Sequence, residues 1–288
     1  MVRRQRNVFL ALILAFLVAV AIAVGIFLAV RYTAKKKRVM EGIPCVLRGD
    51  GIDCFMISVI QALYNLKQYK RFLENIKSDD KKNVESILKS IWKDMEAKRG
   101  SNMRIDAYRE DLLACIRKHP SNTGVQLETR RQNDADEFLR GALKAITNEE
   151  RAKEYFCFRK NVFGVENPFN YDGYYDLAFI PFKTGGSNHQ TSVNEVLQGK
   201  DKTHIPRICC GIGTENASGI YPAQSIEVFG KRFLLMSAVY YSGSGDLGHY
   251  FAVYKDGKIY RRVTFGNCDK VVLENISSNN SMRLAFYE

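Results

Sequence analysis

The chain has 288 residues, 46% of them hydrophobic and 26% charged, which suits one globular domain with a real core beside one apolar segment and excludes a disordered or repeat protein. Its net charge of +12 suggests a nucleic-acid partner until the bases are located. Arg3, Arg4, Arg6, Arg31, Lys35, Lys36, Lys37 and Arg38 supply eight of them with no acid before Glu41, leaving about +4 for the rest; the excess flanks an apolar run, and no nucleic-acid partner is implied.

In chain order, a basic tail (1–7) comes first. Val8 to Val30 are then 23 consecutive residues without a charge, amide or hydroxyl. At about 1.5 Å per residue, a helix of this length spans a hydrocarbon core of about 30 Å. It exceeds the roughly 7–15-residue apolar region of a cleaved signal peptide, so an uncleaved transmembrane helix over 8–30, embedded in a lipid bilayer, is expected. A polybasic linker (31–41) follows. The larger basic cluster lies after the span, which predicts a single-pass protein with its C-terminal domain in the cytosol. The flanks suit the mitochondrial outer membrane or the endoplasmic reticulum. Matches to Asn-x-Ser at Asn216, Asn275 and Asn279 are the opposing signal, since such sites are used in a secretory lumen.

Residues 42–288 divide in pattern near residue 160. Before it, apolar residues recur at helical spacing in Phe55–Leu66, Val84–Met95, Ile105–Ile116 and Asp134–Ile146. After it come short runs punctuated by Gly, Asn and Ser, predicting strands over Tyr175–Ile180, Ser225–Phe229, Phe233–Tyr241, Tyr250–Lys255, Lys258–Val263 and Met282–Tyr287. Asp256-Gly257 is a hairpin turn signal. The expected domain is α+β with two lobes, helices in 42–159 and antiparallel strands in 160–288.

The seven cysteines (Cys45, Cys54, Cys115, Cys157, Cys209, Cys210, Cys268) are odd in number, scattered and without a Cys-x-x-Cys pair. This pattern supports neither a disulfide framework nor a four-cysteine zinc site, so reduced thiols, no metal and no other cofactor are expected. Adjacent Cys209 and Cys210 read as a buried pair in a strand or turn. Cys54 stands apart, at the head of the Phe55–Leu66 helix with Gly51 just upstream to let the chain turn in. A helix N-terminus favours the thiolate, while the neighbouring Asp53 opposes it. A nucleophilic thiol also needs a base. His249 is the candidate, because it follows the glycine-rich Ser242–Gly248 segment and opens the predicted strand at Tyr250. His119, His189 and His204 lie in loop-like contexts without such strands.

These residues resemble the ubiquitin-specific proteases. Gly51–Leu63 is similar to their cysteine box, and Phe233–Val239 followed by Gly248–Tyr254 to their histidine box. Arg131–Leu139 (Arg-Gln-Asn-Asp-Ala-Asp-Glu-Phe-Leu) resembles their Gln-Asp-Ala-x-Glu-Phe-Leu element. Tyr175–Leu197 and Met282–Glu288 complete the family's order, so the likeness covers about Gly42 to Glu288. The resemblance implies a papain-like fold of helical thumb and β palm. It implies thiol-dependent hydrolysis of the bond after ubiquitin's C-terminal glycine, with ubiquitin and ubiquitinated proteins as partners. Cys54 would be the nucleophile and His249 the base.

The chain departs from the family's pattern in three places. Gly266 holds the position of the third triad member, so Asn267 is expected to orient the imidazole, with Asp269 second. The family's oxyanion asparagine falls at Gly49, beside Asp50. Asn167–Phe229 is short and lacks the paired cysteines of zinc-binding fingers. The basic ubiquitin tail would be met by Asp134, Asp136, Glu137 and Tyr250, for whose acids helix capping and internal hydrogen bonding is the structural alternative. The departures also support a second function, that of a catalytically weakened, membrane-tethered ubiquitin-binding module.

Overall fold

The computed structural model describes residues 20, 22–31, 45–76, 83–119, 127–128, 131–160, 175–182, 189–213, 221–244, 247–264 and 266–288. The chain forms two compact units, Met1–Pro44 with Arg99–Ser101, and Cys45–Lys98 with Asn102–Glu288. In the first unit, a helix (α1) covers 22–31 and carries its apolar side chains, Ile22, Ile26 and Leu28 among them, exposed. Among the described residues no helix is long and apolar enough to cross a membrane. The basic tail 1–7, residues 8–19 of the apolar run, the linker 32–41 and Asn216 lie outside the described residues.

The second unit is α+β. Its first half holds β1 (Val46–Arg48), α2 (Cys54–Tyr64), α3 (Lys67–Glu74), α4 (Val84–Ala97), β2 (Asn102–Arg104), α5 (Asp106–Lys118), α6 (Ala135–Lys144) and α7 (Glu149–Phe156). The second half holds β3 (Cys157–Arg159), β4 (Tyr175–Leu177), β5 (Phe179–Phe182), α8 (His189–Leu197), β6 (Cys209–Gly213), β7 (Ser225–Val228), β8 (Lys231–Ser244), β9 (Leu247–Asp256), β10 (Ile259–Thr264), β11 (Asn267–Val271), α9 (Leu273–Asn279) and β12 (Ser281–Tyr287). The main sheet runs β11-β10-β9-β8-β12-β6-β5, with β7 paired to β8.

Strand periodicity builds two cores on this sheet. Val239, Tyr250, Ala252, Leu284 and Phe286 face the helices. Their neighbours Ala238, Tyr240, Phe251, Val253 and Ala285 face a second cluster with Phe158, Ile180 and Phe182. Helix α2 is buried on nearly every side between the helices and the sheet, as an all-round apolar helix must be. Buried polar ties to β1 and β8 help fix its position. Gln61 accepts the Leu47 N–H at 3.1 Å and donates to the Cys45 carbonyl at 2.9 Å, binding β1, and Ser237 Oγ donates to the Ala62 carbonyl at 2.9 Å, binding β8.

Three expectations need correction. The predicted strand Tyr175–Ile180 is two strands, for β4 pairs with β3 and β5 joins the main sheet. The chain changes partner at Ala178, whose N–H bonds Phe156 and whose carbonyl accepts from Cys210. The sheet is not wholly antiparallel, since β5 runs parallel to β6 as the last strand in the order, a location that tolerates Pro181. The glycine-rich Ser242–Gly248 segment is not a loop throughout. β8 continues to Ser244 and β9 begins at Leu247, so His249 lies inside the ladder opposite Ser242. The turn at Asp256-Gly257 forms as expected, with Asp256 paired to Ile259 and Gly257 at φ 61°. Cys209 and Cys210 are the buried start of β6, and all seven cysteines are free thiols.

Candidate active site

Cys54 opens α2, and the chain reaches it through a single 3-10 turn, Gly51–Asp53. The turn is stabilised by the Asp50 N–H, which bonds Asp53 Oδ2 at 3.1 Å. Asp53 itself is buried and paired with Arg109 Nε at 2.9 Å, so the carboxylate next to the nucleophile is turned into the protein. Burial pushes the Asp53 carboxyl up, and Arg109 opposes this. Asp50, Asp53 and Asp106 come together here, and Arg104 and Arg109 offset part of their charge.

His249 reaches the site from β9. It and Cys54 line one cavity of about 260 Å³ with Arg48, Gly49, Asp50, Arg104 and Thr264. Gly248 is required before the histidine, because a Cβ there would lie 2.1 Å from the ring of Tyr241 on β8. His249 Nε2 lies 2.9 Å from Thr264 Oγ1. Burial pushes the imidazole down from 6.5 to about 4. Burial also raises the Cys54 thiol, against the N–H groups of Tyr250, Phe55 and Cys54 itself, while the Asp53 charge adds a smaller upward push. Both shifts favour the neutral thiol and imidazole over a preformed ion pair.

The remaining predicted residues are placed as follows. Asn267 is exposed at the start of β11, in register with Thr264. Asp269 is exposed and faces Arg262 at 3.7 Å. Gly266, at the family's third-member position, has φ 82°, and a Cβ there would lie 2.0 Å from Arg48 Nε. The Asn102 amide secures this packing: with its oxygen toward Arg48 and its nitrogen toward the Gly266 carbonyl, it makes bonds of 2.7 Å and 3.0 Å. Gly49 is as closely packed, since a Cβ would meet Asp53 Oδ2 at 2.7 Å and Ile57 Cδ1 at 2.9 Å. Asp50 is exposed beside it and pairs with Arg104 at 3.2 Å.

The acids expected to meet a basic tail are engaged internally. Asp134 precedes α6 and accepts from the Tyr250 hydroxyl at 2.5 Å and from Arg283 at 2.7 Å. Burial, then Asp134, pushes the Tyr250 phenol up. Asp136 faces Arg140 one turn on at 3.7 Å, and Glu137 is half-buried on the same helix. The internal alternative thus describes Asp134 in this structure.

Two residues at the site carried no assigned role in the sequence reading. Gln132 Nε2 lies 3.4 Å from Cys54 Sγ and 3.1 Å from the Gly248 carbonyl. Thr264 holds the imidazole. Gln132 stands within the Arg131–Leu139 element, so its motif was visible although its contact was not. Thr264 opens the stretch Thr264–Val271 in which the third member was sought, two residues before the family's position at Gly266, and was given no role there.

A thiol at a helix start, an imidazole lining the same small cavity and a hydroxyl behind it are the parts of a cysteine hydrolase. The family described as "Ubiquitin carboxyl-terminal hydrolase" matches residues 45–211, more than half the chain. The chain belongs to that family and is a cysteine-type ubiquitin hydrolase; the matched stretch holds Cys54 and Gln132 and ends before His249. A chain of the solved structure "Structure of the Ubp8-Sgf11-Sgf73-Sus1 SAGA DUB module" is similar in fold, with a TM-score of 0.54 at 16% identity, over 86% of this chain and 68% of that one. No curated relative matches in sequence.

Proposed function

We propose that the protein is a membrane-tethered deubiquitinase that cleaves the bond after ubiquitin's C-terminal glycine on protein conjugates. The observation that carries the reading is that Cys54 and His249 line one cavity in a chain of this family. Cys54 attacks the glycine carbonyl as its proton passes to His249. With Nε2–H directed at Thr264, Nδ1 acts as the base. The imidazolium then protonates the leaving lysine amine, and water, deprotonated by the same nitrogen, releases ubiquitin from the thioester. Because burial favours the neutral form of both groups, proton transfer accompanies attack.

The apolar run 8–30 and the larger basic cluster behind it support an anchor with the hydrolase domain in the cytosol, on the mitochondrial outer membrane or the endoplasmic reticulum. The burial and raised thiol of Cys54 favour the second reading, a weakened ubiquitin-binding module. One experiment separates the two. An electrophilic ubiquitin C-terminal probe forms an adduct with the wild-type chain and none with Cys54→Ser; no adduct, or an equal one with both, removes the enzyme. Carbonate extraction of membranes from expressing cells retains the full chain if it is anchored, and imaging a fusion of residues 1–40 identifies the membrane.

A further inference from the structure

The Gln132 side chain bridges the two halves of the site. Its Nε2 reaches Cys54 Sγ at 3.4 Å and the carbonyl of Gly248, the residue before the base, at 3.1 Å. An amide nitrogen carries two hydrogens, so one bond can hold the side chain against β9 while the other points at the nucleophile. At the position of the family's oxyanion asparagine, Gly49 is closely packed: a Cβ would approach Asp53 Oδ2 to 2.7 Å and Ile57 Cδ1 to 2.9 Å. A side-chain donor cannot enter from there without moving a buried ion pair.

We propose that Gln132 is the side-chain donor of the oxyanion hole in this chain, replacing a donor that Gly49 cannot supply. The inference rests on the reading of Cys54 as the nucleophile of ubiquitin hydrolysis. When the Cys54 sulfur bonds to the carbonyl carbon, the π electrons move to oxygen and the thiol proton goes to His249. The sulfur, now a thioether, becomes a poorer acceptor just as the adjacent oxygen becomes an anion. The Nε2 hydrogen that faced sulfur turns to this oxygen, while the bond to Gly248 keeps the amide in place. The backbone N–H groups of Cys54 and Phe55, which act to lower the Cys54 thiol, supply the remaining donors. Collapse of the intermediate returns the electron pair to the carbonyl, breaks the bond to the amine and passes the proton from His249 to the leaving nitrogen. The charge on oxygen exists only in the transition state and intermediate, so the contribution of Gln132 falls on kcat.

The test uses full-length wild type, Gln132→Glu, which keeps the shape and removes the donor, and Gln132→Ala. Two readouts are needed: turnover of a fluorogenic ubiquitin C-terminal amide, and alkylation of Cys54 by iodoacetamide as a function of pH, followed by mass spectrometry of the Cys54 peptide. Alkylation forms a bond to the same sulfur but develops no oxyanion. The expected result is a fall of about 100- to 1,000-fold in kcat for both variants, with KM within about threefold, since one oxyanion donor has that effect. Cys54 alkylation in Gln132→Ala should stay within about threefold of wild type across the pH range. A kcat within about threefold of wild type overturns the inference, as does a parallel fall of alkylation and turnover, which would make Gln132 a support for the thiol alone. A wild-type chain with no Cys54-dependent turnover overturns the functional reading and this inference with it, whereas an active wild type with equally active variants overturns this inference alone.

Discussion

Thr264→Val is the sharpest test of how the imidazole is held. The substitution keeps the branched shape on β10 and removes the hydroxyl 2.9 Å from His249 Nε2. That nitrogen belongs to a half-buried ring, and leaving such a group without its partner costs about 1–3 kcal/mol. The cost is felt most when the ring is charged, in the transition state. At about 1.4 kcal/mol per factor of ten, kcat/KM should fall about 5- to 150-fold. Thr264→Ser, which keeps the oxygen, should stay within a few-fold of wild type. Asn267→Ala is the control: its side chain is exposed at the start of β11, and its removal should change kcat/KM by less than about twofold. Steady-state kinetics on a fluorogenic ubiquitin amide, with urea unfolding to confirm intact stability, decides the matter. A larger loss in Asn267→Ala than in Thr264→Val, or an unaffected Thr264→Val, would refute the assignment and return the role to Asn267.

Three further outcomes follow from the packing and charge of the site. His249 must be neutral to act and is pushed down to about 4, so the acid limb of kcat/KM should fall near that value and not near 6.5; the unfolded chain protonates first, so wild type should also lose stability relative to His249→Asn as pH drops from 6.5 toward 4, seen by urea unfolding. Gly49→Asn, which restores the family's residue, should destabilise the fold by about 1–3 kcal/mol and leave kcat no higher, because its Cβ meets Asp53 and Ile57; a faster enzyme would show that the pocket relaxes. Gln61→Met should destabilise by about 2 kcal/mol or more, since the buried Cys45 carbonyl and Leu47 N–H both lose their partner, and calorimetry would show a lowered Tm.

The elements readable from the residues were those whose packing repeats a simple period. Helices α2, α4, α5 and α6 and strands β8, β9, β10 and β12 carry apolar residues at spacings that burial on one or both faces requires. Strands β1 and β2 are three residues each and pair in parallel across more than fifty residues, which no local pattern records. β11 begins Asn-Cys-Asp-Lys, polar because it is a mostly exposed strand at the end of the sheet order, and its composition resembles a loop. At the site, Cys54 was legible because it opens α2, and His249 because a glycine-rich run precedes it, although that run is largely strand and the histidine lies inside β9. Thr264 was not, because a threonine in a strand is ordinary, and only the facing of β10 toward β9 gives it a partner. Gly49 and Gly266 looked like missing functional groups. In the structure each is a close approach, one to Asp53 and the other to Arg48.

The nucleophile lies on the first buried helix of the hydrolase unit and its base on β9, with Glu288, the last residue of the sequence, bonding the N–H groups of Lys67 and Gln68 at the start of α3. A ribosome therefore releases the thiol long before the imidazole exists, and the sheet that holds them together closes only when β12 inserts between β8 and β6. During synthesis the growing chain carries an unpartnered cysteine and no hydrolase. Proteolytic competence therefore waits on β12, and copies that stop short of it should be silent.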